Sequence, residues 1–430
     1  MFLPADFEKN MRQLLGDDGF EAFSNALADE PPVSIRLNPL KTPLADADND
    51  RQLRRQLGQP VPWCEGGFYL PQRPQFTFDP LLYAGVYYVQ EASSMFLDRV
   101  LRQYQPADSV AMLDLCAAPG GKSTVARAAL PEGSLLVSNE PMRTRAQILS
   151  ENMLKWGHPD TIVTNNYPRD FVCAGMTFDI VLCDVPCSGE GMFRKDPAAI
   201  SDWSMQKVEQ CWQLQRQIVA DAWACLADGG LLIYSTCTFN TLENEQNIEW
   251  CQRELGAQVV GVDIYKDWGI THSLLPHFSA PVYRFIPGRT RGEGLFMAAM
   301  RKPEGSHRAD NTDSLRRKAH KRLRIVNDGP RPPLQKGKDQ LPDASEALSA
   351  TFPTDVFPHC ELSWQQAVAY LRKEMLVLPP EVPRGLVAVA FQGAPLGFVK
   401  NLGNRANNLY PQEWKIKSTH IPASYEETIS

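Results

Sequence analysis

The sequence predicts an α/β protein built on a doubly wound parallel sheet, with smaller pieces before and after it. Three observations predict this. Between about residue 85 and residue 302, short apolar runs alternate with segments of helical period. The first of those runs breaks into a Gly-rich turn, LDLCAAPGGKST, that opens a helix. No apolar run approaches the roughly 18 residues of a membrane span, and 43% hydrophobic with 22% charged residues is a globular composition.

Taken in order, residues 1–80 begin with a helical pattern and then break on prolines (PPVSIRLNP, PVPWCEGGFYLPQRP), a small α+β segment. The start, MFLPADFEKNMRQLL, mixes Pro and charges into its apolar residues and does not read as a signal peptide. The ten cysteines are scattered, with no C-x-x-C pair, so neither a zinc site nor a disulfide framework is expected. A cytoplasmic chain with reduced thiols and no metal is the expectation.

Within 81–302, AMLDLC, SLLVSNE, TIVTNN, FDIVLCD, LLIYST and QVVGVDI predict strands, and GLFMAAMRK a closing strand. KSTVARAALP, MRTRAQILSENMLKWG and MQKVEQCWQLQRQIVADAWACLADG predict the helices between them. This unit is expected to fold and bind its cofactor in a chain cut before about residue 305. Residues 303–348 read as a basic linker: from His307 to Lys338 there are ten Lys/Arg against three Asp in a chain of net charge −6. Such a stretch suits a phosphate backbone, or is a solvated tether. From 349 to 430 a small domain follows, with one helix (SWQQAVAYLRKE) and two β-like runs (GLVAVAFQ, PLGFVKN).

In a doubly wound sheet, ligands bind beyond the carboxyl ends of the strands. At the first end, the turn into Lys122-Ser123-Thr124 presents free helix N–H groups to a carboxylate or phosphate. A phosphate-binding P-loop is disfavoured, because its first glycine position is Cys116. The second end carries Glu140, 18 residues past Lys122, where an acid commonly holds ribose hydroxyls. A site for a small zwitterion plus a ribose suggests S-adenosylmethionine. Two cysteines stand at later strand ends, Cys187 in DVPCSG and Cys237 in STCTF. Two thiols near a methyl donor fit methylation at C5 of a pyrimidine, where a thiolate adds at C6 and a base later removes the C5 proton.

LDLCAAPGGKS, VSNE, DVPCSGEGMFRKDP and STCTFNTLENE, in that order, strongly resemble the Nop/Sun family of RNA (cytosine-5) methyltransferases. The tail GLVAVAFQGAPLGFVKNLGNRANNLYP is similar to the PUA-like end of a bacterial 16S rRNA branch of that family. The resemblance implies a Rossmann-like S-adenosylmethionine-dependent sheet, an RNA-contacting N-terminal segment and an RNA-binding C-terminal domain. It implies that Cys116, Ala117, Ala118, Pro119, Gly120, Gly121 and Lys122 line the methionine part of the cofactor, and that Glu140 takes the ribose. Asp184 then sits near the methyl group and the cytosine, Cys237 attacks, and Cys187 assists release. The family's Asp after the third strand is replaced by TNNYPRD, so Asn165 or Asn166 is expected to hold the adenine. The implied partner is RNA, 16S rRNA or the small ribosomal subunit; the same chemistry on tRNA and a non-catalytic RNA-binding assembly factor are the alternatives.

Overall fold

The computed structural model describes residues 2–42, 57–104, 107–336, 339–353 and 355–426; Lys338 of the basic stretch lies outside them. The helix Ala5–Ala28, interrupted at Gly16, leads into a three-stranded antiparallel sheet of order β2-β1-β3 (Gly67–Leu70, Val33–Leu37, Tyr87–Val89).

The central sheet starts with β4 (Ala111–Asp114), β5 (Leu135–Asn139), β6 (Thr161–Thr164), β7 (Phe178–Asp184) and β8 (Leu226–Thr236). These strands are parallel neighbours in the order β8-β7-β4-β5-β6. Their residues alternate between two apolar layers: Met112, Leu136 and Ile180 face one, Leu113, Val137 and Val181 the other. Burial on both faces is what near-continuous apolar runs dictate. The order steps out one way from β4 and then the other, which opens a crevice between the ends of β4 and β7.

The edges depart from the expected parallel sheet. β9 (Gln258–Val260), β10 (Tyr283–Phe285) and β11 (Leu295–Arg301) form an antiparallel flank beside β8. At the other edge β12 (Ile325–Asp328) pairs antiparallel with β6. The helix before β8 ends at Ala224, because Leu226 already pairs with Phe178.

The stretch expected to be a linker is therefore folded. The helix Thr312–Arg322 buries Leu315 and Ala319 in the sheet's layer, and β12 completes the sheet. After a short hairpin, β13 (Leu334–Lys336) with β14 (Asp339–Leu341), the helix Ala344–Leu348 already belongs to the C-terminal core. That domain is a sheet of order β15-β16-β17-β18 (His359–Glu361, Gly385–Phe391, Ala394–Asn401, Ala406–Asn408) over the helix Trp364–Leu371. Its core is continuous with Ile35, Leu37 and Leu81 of the N-terminal unit. Trp364 donates to the carbonyl of Phe78 at 2.9 Å, and Tyr425 and Tyr87 both donate to the buried Asp79.

Candidate active site

β4, β7 and β8 end side by side, so the residues after them meet by topology. Asp114 ends β4, Asp184 ends β7, and Cys237 follows Thr236 at the end of β8. Together they line a cavity of about 570 Å³ with Cys116–Pro119, Gly121, Lys122 and Cys187. Gly120 takes the left-handed conformation (φ 116°) that turns the chain into the helix Gly121–Ala129, leaving that helix's first N–H groups at the cavity.

The two thiols touch: Cys187 Sγ lies 3.2 Å from Cys237 Sγ. The Cys187 thiol is held well above the ordinary thiol range, first by its hydrogen bond to Cys237 and then by burial. Either sulfur can donate across that contact. Lys122 supplies the local cation. Its ammonium is 2.9 Å from Asp184, and that pairing outweighs burial and raises its pKa, with Cys237 and Asp114 adding to the effect. Ser235 donates to the other Asp184 oxygen at 2.7 Å. Asp114 is fully buried, and burial pushes its carboxyl up to about 7. One of its oxygens accepts from Ser123 at 2.7 Å, and the other has no partner.

The loops that carry the thiols hold each other reciprocally. Glu190, after Cys187, accepts from the backbone N–H groups of Phe239 (2.7 Å) and Asn240 (3.0 Å) after Cys237. Glu243, after Cys237, accepts from the N–H of Ser188 at 3.0 Å. The N–H of Gly191 donates to the carbonyl of Cys237 at 2.8 Å, and a Cβ at 191 would stand 2.8 Å from that oxygen. From outside, the N-terminal helix clamps both loops, with Phe7 edge-on to Phe193 (5.0 Å) and Phe23 to Phe239 (5.1 Å).

Not every expected residue reaches the cavity. Glu140 is buried at the end of β5, where its carboxylate accepts from the N–H of Met142 (2.9 Å) and lies 3.4 Å from Arg145. Arg145, not Glu140, lines the cavity, and it also donates to the carbonyl of Ala118 at 2.9 Å. Asn165 and Asn166 do not line it either. Asn165 donates to the carbonyls of Glu140 (2.9 Å) and Pro141 (2.8 Å), while Asn166 bonds the backbone of Arg324. Asn166 thus seats the residue before β12 and Asn165 braces the turn after β5, roles that sequence proximity to the third strand could not disclose. Conversely, Asp114, Arg145, Lys195 and Glu293 line the cavity without having been singled out. Of these, Asp114 carried a signal, an acid at a strand end just before the glycine turn. Glu293, 3.5 Å from Lys195 and 3.0 Å from Arg194, comes from a loop whose sequence carries none.

Comparison with known proteins follows the same three-part division. Residues 3–92 match the model for the N-terminal domain of 16S rRNA methyltransferase RsmF, and residues 357–416 that for the methyltransferase RsmF PUA domain. Residues 101–301, the sheet and its cavity, match the model for 16S rRNA methyltransferase RsmB/F. The chain belongs to the RsmB/F methyltransferase family. It is 37% identical over 263 residues to ribosomal RNA small subunit methyltransferase F of Pectobacterium atrosepticum, 59% of this chain and about half (53%) of that one. To the protein of the same name from an Enterobacter species it is 29% identical over 468 residues, 96% of each chain. A solved methyltransferase homologue from Pyrococcus horikoshii superposes on 69% of this chain and 94% of its own, with TM-score 0.59 and 25% identity. These matches establish a Rossmann-like methyltransferase core flanked by an N-terminal and a PUA domain.

Proposed function

We propose that this chain methylates C5 of a cytidine in 16S rRNA, with Cys237 as the attacking thiolate. The observation that carries this reading is the contact of two thiols at adjacent strand ends, beside the Lys122–Asp184 pair. C5 of cytosine is a poor nucleophile until a thiolate adds at C6. The family resemblance gives that addition to Cys237, which stands at the cavity with Lys122. After methylation, a base in the cavity takes the C5 proton. The released electron pair restores the C5=C6 bond as the C6–S bond breaks. The S–H of Cys187, directed at Cys237, stabilises the departing thiolate and so assists release.

S-adenosylmethionine supplies the methyl group when bound, and the residues present fit it. The unpartnered, buried oxygen of Asp114 suits an ammonium, and the N–H groups at Gly121 suit the adjacent carboxylate. Glu140 would take the ribose once Arg145 turns away. Asp184, paired with Lys122 between β4 and β8, faces the space the cytosine edge would fill. RNA as the substrate class, and 16S rRNA within it, rests on the matched family models and on the PUA domain.

The two cysteines predict opposite failures. Cys237→Ala removes the attacking atom, so neither methylation nor a covalent adduct forms. Cys187→Ala permits attack but slows release, so protein accumulates covalently bound to methylated RNA on a denaturing gel. An adduct with Cys237→Ala and none with Cys187→Ala reverses the roles. Bisulfite sequencing of rRNA and tRNA from a deletion strain tests the substrate; a mark lost from tRNA alone refutes the rRNA assignment.

A further inference from the structure

The cations of the helix Thr312–Arg322 fall into two sets. Leu315 and Ala319 are buried, and the residues flanking them are neutralised. Arg316 pairs with Asp328 and, at 3.3 Å, with Asp160, while Lys318 holds Asp310 at 2.7 Å. Arg317 and Lys321 stand one turn apart on the outer side, exposed, with Arg322 exposed beside them. Among the described residues, none of these three ion-pairs with a carboxylate, and the only acid on the helix is Asp313 in its first turn.

The cationic face does not stop at the helix. Arg324 and Arg143 both line a cleft of about 430 Å³, together with Asn165 and Gln147. Arg143 opens the same helix, Arg143–Trp156, whose Arg145 lines the active-site cavity. Asn165, in the cleft, bonds the carbonyl of Glu140. Exposed cations without a carboxylate partner among the described residues thus stand both on the outer side of one helix and, through Arg143 and Arg324, at a cleft beside the helix that reaches the cavity, on a chain whose net charge is −6. Unpaired charge concentrated against the sign of the whole molecule is what a polyanion recognises.

We infer that these cations, on the outer ridge at Arg317 and Lys321 and at the Arg143–Arg324 cleft, carry the phosphate backbone of the RNA next to its target nucleotide. The inference rests on the reading of the chain as an RNA methyltransferase, and it names the surface through which that RNA is held. The contacts are to backbone phosphates, so they supply affinity and register, not base choice.

The test uses the full chain carrying Arg143→Glu, Arg317→Glu and Lys321→Glu, a 16S rRNA transcript as probe, and a series of KCl concentrations. A charge-matched control carries Arg253→Glu, Lys266→Glu and Arg289→Glu, exposed cations on other elements. The triple variant is expected to bind RNA at least tenfold more weakly than the control, with a salt slope shallower by about 2–3. S-adenosylmethionine affinity, read by calorimetry, stays unchanged. Equal affinity and slope for the variant and the control overturn the inference. If the reversals lower cofactor binding as well, Gln at the same three positions is measured, and unchanged RNA affinity there overturns it equally. Wild-type protein that binds no RNA refutes the methyltransferase reading itself, a result distinct from variants that match the control.

Discussion

Asp114 joins burial to function at the scale of one residue. Its carboxyl sits at about 7 because burial penalises the charged form more than the Ser123 hydrogen bond favours it. A raised carboxyl favours the folded protein below the unfolded value, and that contribution is lost as pH rises through about 7. A bound ammonium reverses the preference, so S-adenosylmethionine binding is expected to strengthen from pH 6 to 8 and to release a proton. Calorimetry in buffers of different ionisation enthalpy measures that release, and Asp114→Asn should abolish it while weakening binding about tenfold or more, the loss of a charged hydrogen bond. Glu140 makes a second case. Glu140→Ala removes a charge-assisted contact and should cost on the order of 1.5–3 kcal/mol of cofactor affinity. Arg145→Ala separates the two demands on that carboxylate: with its competitor gone, Glu140 is free for the ribose and affinity should rise. A fall in affinity would mean that Arg145 itself holds the cofactor.

Elements decide how well the thiols are aimed. Glu190 accepts from Thr238, Phe239, Asn240 and Trp203, so a single carboxylate fixes the turn after Cys237 from the loop after Cys187. Glu190→Gln replaces an acceptor by a donor inside that turn. Breaking such a buried network typically costs about 3–5 kcal/mol. Thermal unfolding should show that loss, and turnover should fall while S-adenosylmethionine affinity holds, because Glu190 lies outside the cofactor's end of the cavity. The motifs quoted from the sequence are thus longer than their chemistry requires, and the surplus residues are the ones that tie two loops together. Lys122 follows the same logic, since its partner Asp184 comes from a different strand and only the sheet order makes them neighbours.

At the scale of the whole molecule, the packing argues against the expectation that a chain cut before about residue 305 keeps a folded, cofactor-binding core. Cutting before about residue 305 removes β12 from the edge of β6 and strips Leu315 and Ala319 from the sheet's apolar layer. It also uncovers Ile35, Leu37 and Leu81, which share a core with the C-terminal domain. An unpaired edge strand and exposed apolar surface both promote association. The truncated chain is expected to aggregate or to lose its cooperative transition in thermal unfolding; a monomeric, cofactor-binding product would show that the tail is dispensable. Tyr410, near the end of the PUA-like tail, is fully buried against Tyr370 and Trp414.

The sequence by itself determined the central elements, because a strand buried on both faces must be continuously apolar and a helix must repeat its apolar face. It also determined the thiols, the glycine turn and Lys122, since each lies within a few residues of a strand end and the fold class sends strand ends to one crevice. Only the tertiary structure decided the rest. Whether Glu140 faces a ligand or Arg145, whether Asn165 and Asn166 line the cavity or bond the backbone of neighbouring turns, and whether a basic stretch is a tether or a strand with a helix all depend on groups distant in the chain. Antiparallel pairing at the sheet's edges depends on them too. Local pattern records what a residue can do; the partner it finds is set by packing, and Asn166 finds its partner at Arg324, 158 positions away.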